Sequence, residues 1–218
     1  NNQAGLKKTI DSLAHRSKDS YQWVFIDSVS TDGSLELAQV FAKGSDVVVS
    51  ELDTGIYNAM NKGVRAASKE KVLFLNSGDT LSPEIQTIQD LELDPMADVT
   101  LFGFQIRNRL RMPRGNHWRF WSMPTSHQAM IYSRQLMLQE PFDERYRFAA
   151  DFEHYLRINQ RPRKIEALII NEPYGSDSHL PKLLNEYREA LIQNGYPRWW
   201  AHAVYWLKTY YLEWALKK

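Results

Sequence analysis

Three short apolar runs, each followed at once by polar and carboxylate residues, most constrain the fold of this chain. The runs cover residues 23–26, 47–49 and 72–75 and are rich in aromatic and β-branched residues, which is typical of buried strands. Segments with helical spacing precede, separate and follow them. This alternation predicts an α/β fold with a mainly parallel sheet and helices on both faces.

The predicted helices follow from the spacing of small and apolar residues. A first helix has Leu6, Ile10 and Leu13 on one side, and a second follows the first strand with Thr31 or Asp32 as its N-cap. A third helix begins near position 56. Its apolar or small positions recur at i, i+3, i+4, i+7, i+8 and i+11, which predicts that one face is buried: Ile56, Ala59, Met60, Gly63, Val64 and Ala67.

Carboxylates stand at the end of each of the three predicted strands. Asp27 follows the first, Glu51 and Asp53 follow the second, and Asp79 follows the third. Any one of them is typical of a turn or a helix cap. Because ligands of such sheets bind beyond the carboxyl ends of the strands, the three together favour a ligand site at this edge.

Composition narrows the classes of partner and of metal site. The 218 residues are 43% hydrophobic and 24% charged, with 27 Lys and Arg against 26 Asp and Glu, so no global charge favours nucleic acid. The chain has no Cys, which leaves oxygen and imidazole ligands for a metal. It shows no long apolar run and no signal-peptide pattern, so we expect a soluble body, and its opening on a helical pattern leads us to expect a missing upstream strand.

The second half is less regular. A strand is predicted over residues 99–106, a hairpin around 113–116, a strand over 129–132 and a helix over 148–158. Alternate positions on one strand face are arginines: Arg107, Arg109 and Arg111. They could bind an anionic ligand, but the favoured interpretation is a solvated strand face. Residues 197–216 form an aromatic segment with basic residues at its margins.

Five motifs carry a resemblance to a known family. They are IDSVSTDGS at 26–34, ELDTGIYNAMNKG at 51–63, LFLNSGD at 73–79, SHQAMIY at 126–132 and AADFEHYLR at 149–157. In this order the chain resembles, over residues 4–180, the inverting family 2 glycosyltransferases of bacterial polysaccharide assembly, and the colanic-acid type most. The resemblance implies a GT-A-like domain over 1–180, with a nucleotide-binding half at 1–95, an acceptor half at 96–180 and a helical segment at 181–218.

The resemblance also implies a donor site and a metal. The donor nucleotide sugar is expected to contact five residues, and Asp79 is expected to hold Mg²⁺ or Mn²⁺ against the diphosphate. Only the last carboxylate of the family's Asp-x-Asp motif is present, and Ser28 and Val29 stand where the family usually has two glycines, which bears on nucleotide identity. The expected donor contacts are Asp27, Asp53, Asn61, Lys62 and Asn76.

A base is the second chemical requirement. Single displacement at the anomeric carbon needs a carboxylate that takes the proton of the acceptor hydroxyl. Asp151 matches the family's base, with Glu153 as the rival and a plain helix cap as the structural alternative. His127 and Gln128 match another family motif and are expected to contact the diphosphate, the acceptor or the metal, or to serve structure alone. Residues 175–178 resemble a late lid loop.

These observations predict transfer of a sugar from a nucleoside-diphosphate sugar to a hydroxyl of a saccharide acceptor, free or lipid-linked. The aromatic segment 197–216 is equally suited to the bilayer interface, to packing on the body of the domain or to contact with a second subunit. We expect the protein in the cytoplasm or at the inner face of the cytoplasmic membrane. A catalytically silent sugar-nucleotide-binding subunit is the alternative. A phosphoryl-transfer enzyme is disfavoured because no Walker loop is present.

Overall fold

A computed structural model describes residues 1–14, 16–17, 20–91, 93–106, 109–158, 163–170 and 179–216. The predicted lid loop at 175–178 and Arg107 lie outside the described residues. In chain order, the helices and strands are α1 Gln3–Ala14, β1 Val24–Asp27, α2 Ser34–Phe41, β2 Val47–Ser50, α3 Ile56–Ala66, β3 Lys71–Leu73, β4 Thr80–Leu81, β5 Val99–Ile106, β6 Arg109–Arg111, β7 Met130–Ser133, α4 Arg134–Gln139, α5 Ala150–Ile158, β8 Arg163–Ile170, α6 Leu180–Gln193 and α7 Arg198–Leu216.

The strands form two sheets. β1 and β2 pair in parallel, with Val24 opposite Val47 and Asp27 opposite Ser50. The larger sheet has the order β3-β7-β5-β8-β4, and β6 pairs with β5. Strands from both sides of position 95 therefore share one sheet.

Strand direction differs from the prediction of a mainly parallel sheet. Parallel pairing is found for β1 with β2 and for β5 with β8, whereas β3–β7, β5–β7, β4–β8 and β5–β6 are antiparallel. Apolar runs of this length identify buried strands but do not encode the direction of their neighbours. The predicted hairpin at 113–116 was also wrong, because β6 ends at Arg111 and pairs directly with β5.

The core lies between the larger sheet and the helices. Its central residues, Leu101, Met130, Tyr132 and Phe152, are fully buried, and α6 and α7 extend this cluster through Leu191 and Val204. A smaller cluster packs α1 and α2 on β1 through Leu6, Ile10 and Ala38. The strand over 99–106 and the helices at both ends of the chain are therefore where the sequence predicted them.

The buried face of α3 is shifted from the prediction. Tyr57, Met60, Asn61 and Val64 are buried, whereas Ile56 is 44% exposed. These four positions also follow the i, i+3, i+4, i+7 spacing, so the sequence admitted two overlapping faces. The true face turns Tyr57 inward, toward α5.

Helix α7 presents an aromatic face to solvent. Trp199, Trp206, Tyr210 and Trp214 are exposed and recur every four or seven residues, while Ala201, Val204 and Lys208 on the other side are buried. Among the described residues, no helix combines the length and the apolar character needed to cross a membrane.

Candidate functional site

The loop after β1 fixes Asp27 through hydrogen bonds. Asp27 is buried, and its Oδ2 accepts hydrogen bonds from Ser30 N at 2.9 Å and Ser50 Oγ at 2.7 Å. Burial by itself favours the neutral acid, but these hydrogen bonds outweigh it and hold the pKa of Asp27 below its usual value. Asp27 is therefore an anion at the end of a strand, as predicted.

Val29 in the same loop has a strained backbone. Its φ is 55°, in the left-handed region that β-branched residues rarely adopt, and it is 49% exposed. Glycine adopts this conformation freely, which gives a physical reason for the glycines that the family usually has here. The prediction that Ser28 and Val29 bear on nucleotide identity stays a prediction. The N-cap of α2 is Gly33, one residue after the predicted Asp32, which instead accepts hydrogen bonds from Ser34.

The loop after β2 is tied to α3. Lys62 Nζ lies 2.7 Å from Glu51 Oε1 and donates to Leu52 O at 2.8 Å. Asp53 Oδ1 accepts from Gly55 N at 2.9 Å, just before α3 begins. Lys62 and Asp53 thus lie on the same loop-helix unit, and a cation stands beside the carboxylates.

Asn1 and Asn2, just before α1, link the loop after β1 to the loop after β3. Asn1 Oδ1 accepts from Thr31 N at 2.7 Å, and Asn2 Nδ2 donates to Ser77 O at 2.8 Å. Because consecutive residues reach both loops, the structure brings the ends of β1 and β3 to one edge. This confirms the spatial part of the three-strand prediction.

Asp79 is an oxygen donor of the type a hard cation requires, but it is largely enclosed. It is 3% exposed, and its Oδ2 accepts from Asn76 N at 3.3 Å. In the part of the chain that the structure describes, no three His, Asp or Glu side chains cluster at metal-ligand spacing. Asp79 therefore fits only a cation that takes one protein carboxylate and fills its other positions with phosphate oxygens and water, as Mg²⁺ does.

Asn61 lies in the interior and not at the rim. Its Nδ2 donates to Phe142 O and to Glu144 Oε1, both at 2.9 Å, and its Oδ1 accepts from Phe142 N at 3.0 Å. The amide is thus engaged on both sides and joins α3 to the segment before α5. Its contact with a donor stays a prediction, which would require these bonds to break.

Asp151 is the centre of a cluster built from three elements. It lies in the first turn of α5, where its Oδ1 accepts from Tyr57 OH at 3.0 Å and Phe152 N at 2.8 Å. His127 Nδ1, from the 3₁₀ turn before β7, lies 3.2 Å from Oδ2. The Asp151 side chain is 14% exposed, so it remains within reach of a ligand.

The charge of Asp151 is stabilised by these neighbours. Burial favours its neutral form, but the hydrogen bond and charge of His127, with the donors Tyr57 and Phe152, hold the pKa of Asp151 below its usual value. Burial, followed by the charge of Asp151, raises the pKa of Tyr57 far above its usual value. Tyr57 therefore keeps its proton and acts only as a donor toward the carboxylate.

Glu153, the rival base, faces a different partner. It is 5% exposed, and its Oε1 accepts from Arg157 Nε at 3.0 Å, one turn along α5. Gln128 is also buried, and Ser126 Oγ donates to its Oε1. Among the predicted residues, only His127 is brought into contact with Asp151.

The Glu186 carboxylate of α6 binds the backbone just before α5. Glu186 accepts backbone hydrogen bonds from Arg147 at 3.0 Å, Phe148 at 2.8 Å and Ala149 at 2.9 Å. Three donors to one side chain fix the turn that leads directly into Asp151. Neither Glu186 nor Tyr57 was assigned a role from the sequence, although the spacing of Tyr57 with Met60 and Val64 would have placed it inward.

A small surface concavity lies beside Tyr57 of this cluster. The first turn of α3 lines one side, including Tyr57, and Tyr146 and Arg147 line the other. The N-terminus of α3 and Arg147 favour an anion there, whereas Glu144, which also lines the concavity, opposes one. Tyr57 connects the concavity to the cluster, because its hydroxyl donates to Asp151 Oδ1.

A known protein family matches most of this chain. The profile of glycosyl transferase family 2 matches residues 1–153. A PGL/p-HBAD biosynthesis glycosyltransferase of Mycobacterium bovis (strain BCG / Pasteur 1173P2) is 29% identical over 178 residues, 73% of this chain and 66% of that protein. This chain therefore spans slightly less than two thirds of that relative's length.

Solved structures share the fold at low sequence identity. S. aureus TarS 1-349 in complex with UDP superposes with a TM-score of 0.65 at 18% identity, covering 94% of this chain and 67% of that chain. The complex of the same protein with UDP-GlcNAc gives a TM-score of 0.66 at 16% identity, covering 92% and 66%. The predicted α/β, GT-A-like fold class is confirmed. Because the family profile covers well over half of its residues, this chain belongs to glycosyl transferase family 2.

Proposed function

We propose that this protein transfers a sugar from a nucleoside-diphosphate sugar to a hydroxyl of a saccharide acceptor, with inversion at the anomeric carbon. The observation that carries the proposal is the carboxylate of Asp151, ionised and held by Tyr57 and His127. Family membership supports the same reaction class.

The reaction is a single displacement. The acceptor hydroxyl attacks the anomeric carbon from the face opposite the diphosphate, and the new C–O bond forms as the bond to the leaving phosphate oxygen breaks. Asp151 takes the hydroxyl proton in the same step, and the nucleoside diphosphate leaves with the bonding electron pair. On the donor side, we assign Asp27 and Asp53 to the nucleoside.

A divalent cation, Mg²⁺ or Mn²⁺, is part of the proposal, with Asp79 as its carboxylate ligand and the donor phosphates as the others. When bound, it would neutralise the charge that develops on the leaving diphosphate. Lys62, beside Glu51, contributes a further positive charge near the donor loop. TarS binds UDP and UDP-GlcNAc, which makes uridine nucleotides the first donors to test.

We also propose, from the resemblance of its motifs, a role in bacterial surface polysaccharide assembly, of the colanic-acid type, on a lipid-linked saccharide. The exposed aromatic face of α7 suits headgroup depth, where Trp and Tyr rings are favoured, and so favours a location at the inner face of the cytoplasmic membrane. A second copy of the chain is the alternative occupant of this face. Flotation with anionic vesicles, against size measurement of the free protein, separates the two.

The test of the proposed function is a donor screen. We expect one of the UDP-, GDP- or dTDP-sugars to raise the melting temperature in the presence of Mn²⁺, because a ligand of the native state stabilises it. The same donor should release nucleoside diphosphate when acceptor is added, and Asp79→Asn should weaken the Mn²⁺-dependent thermal shift. Donor binding without turnover under any acceptor would favour the catalytically silent subunit instead.

A further inference from the structure

We propose that Tyr57 and His127 are positioning residues that fix the Asp151 carboxylate so that its Oδ2 is the atom that takes the acceptor's proton. The inference rests on the proposed function and deepens it to the level of single atoms. Neither side chain touches the reacting atoms in this assignment. Both act through Asp151.

The first step is a count of lone pairs on the carboxylate. Each carboxylate oxygen offers two acceptor positions. Oδ1 accepts from Tyr57 OH at 3.0 Å and from Phe152 N at 2.8 Å, which fills both positions. Among the described residues, only His127 Nδ1 reaches Oδ2, at 3.2 Å. One position on Oδ2 therefore remains open for a substrate hydroxyl.

The second step is the direction of the two side-chain hydrogen bonds. An ionised carboxylate only accepts, so His127 must carry its proton on Nδ1. His127 Nε2 is buried and meets no hydrogen-bond partner within the described ranges, which leaves contact with Asp151 as the polar interaction of this ring. Tyr57 stays protonated because burial and the charge of Asp151 oppose its ionisation. Both residues therefore serve as fixed donors.

The third step is the origin of the three residues. Tyr57 belongs to α3, His127 to the turn before β7 and Asp151 to α5, and 94 positions separate Tyr57 from Asp151. Helix α3 also carries Lys62, which holds the loop after β2. Tyr57 thus sets the position of the base relative to the donor loop, which single displacement requires because attack must be in line with the leaving group.

The charge of the carboxylate provides the readout. Titratable groups face Asp151 from every element packed around it: Tyr57, His127, Tyr132 of β7, Tyr187 of α6 and His154 of α5. Of these, only Tyr57 and His127 donate hydrogen bonds to it. Removing either donor destabilises the anion, so the pKa of Asp151 should rise.

The experiment uses four variants of the full chain. Tyr57→Phe and His127→Leu remove the donors, His127→Asn keeps an N–H near the Nδ1 position, and Tyr132→Phe is the matched control because the Tyr132 hydroxyl donates to Met130 Sδ at 3.4 Å. The carboxyl carbon of Asp151, assigned with Asp151→Asn, is titrated by ¹³C NMR without any donor. Steady-state turnover with the donor found by the screen gives kcat and KM separately.

We expect the Asp151 titration midpoint to move to higher pH in Tyr57→Phe and His127→Leu, and to stay in place in His127→Asn and Tyr132→Phe. In Tyr57→Phe and His127→Leu, the acid limb of the pH profile of turnover should move to higher pH together with the Asp151 midpoint. In the same two variants kcat should fall at least about tenfold at unchanged donor KM, because misplacement of a base by a fraction of an ångström slows the reaction strongly. Unchanged midpoints in both donor-removing variants would overturn the positioning roles. Absence of wild-type turnover together with shifted midpoints would overturn the proposed function and leave the positioning roles standing.

Discussion

The donor-side loops and the acceptor-side helices hold their charged groups in different ways. Asp27 and Asp53 bond to residues within their own loops or the adjacent strand, such as Ser30 and Gly55. Asp151, in contrast, depends on a tyrosine 94 positions away. The donor-side carboxylates are thus held by local turns and the neighbouring strand, whereas Asp151 gains two of its three partners, Tyr57 and His127, only once distant elements have packed.

Burial sharpens the contrast. On the acceptor side, two basic side chains are enclosed without a carboxylate partner among the described residues: His154 and Lys208. Burial, reinforced by Arg157, lowers the pKa of His154 to about 4, and burial lowers the pKa of Lys208 to about 7, with Lys208 Nζ 3.9 Å from the Tyr187 ring centroid. His154 is therefore neutral near physiological pH and Lys208 is only partly charged there, whereas Asp27 in the donor loops stays ionised.

The largest expected effect tests whether chemistry belongs to the acceptor side alone. Asp151→Asn should lower turnover by at least about 100-fold, the usual contribution of a positioned base, because an amide keeps the size of the side chain but takes no proton. Donor affinity should stay nearly constant. Nucleoside diphosphate release and calorimetric titration with donor measure the two quantities.

The donor-side counterpart is Asp53→Asn, which should weaken donor binding more than it slows the chemical step. Loss of donor binding in Asp151→Asn would assign that carboxylate to the donor site and erase the contrast. A comparable loss of turnover in Glu153→Gln, with Asp151→Asn active, would make Glu153 the base. The ion pair of Glu153 with Arg157 argues for a structural role.

The next effect concerns stability and pH on the acceptor side. His154 is fully buried, and its Nε2 lies 2.7 Å from Glu140 O. Because a carbonyl oxygen only accepts, Nε2 carries the proton of the neutral imidazole and Nδ1 carries none. The unfolded chain binds a proton near pH 6.5 and the folded chain only near pH 4, so stability falls as the pH drops through this window. Between pH 7 and 5, this one group should cost the wild type about 2 kcal/mol.

His154→Gln keeps an N–H that can reach Glu140 and removes the titration. Urea unfolding at pH 7 and 5 should therefore show a smaller loss of stability in this variant than in the wild type. His202→Gln, at an exposed position of α7, should retain the full wild-type loss. Equal pH dependence in wild type and His154→Gln would show that the acceptor-side core does not exclude the charged imidazole.

The sequence predicted the donor-side loops better than the acceptor-side cluster around Asp151. The strand ends of the donor side and the carboxylates that follow them were predicted because they are neighbours in the chain, although the N-cap of α2 was placed one residue early. The Asp151 cluster was predicted only as separate motifs, since the contact of Tyr57 with Asp151 depends on the packing of α3 on α5. Glu186 carried no signal, because an acidic residue on an amphipathic helix usually faces solvent.

Strand direction could not be predicted for a related reason. Runs such as residues 72–75 and 129–132 identify buried strands, but the antiparallel pairing of β3 with β7 joins segments nearly 60 positions apart. Only the fold-wide arrangement of layers decides which strands become neighbours. The resemblance to the family gave the fold class but not the direction of these strands.

The smallest expected effect tests whether donor-side structure is local. Val29 holds a left-handed φ of 55°, a conformation that costs a β-branched residue roughly 1–2 kcal/mol. Val29→Gly should relieve this strain and raise the free energy of unfolding by about 1 kcal/mol, less the extra entropy of the unfolded glycine chain. Val29→Thr keeps the branched Cβ and should give no gain. Denaturant unfolding measures the free energy of unfolding of both variants. If the Val29 loop is independent of the acceptor-side core, the pH dependence of stability due to His154 should be the same in Val29→Gly as in the wild type. A change there would mean that the donor loop and the acceptor-side core are coupled.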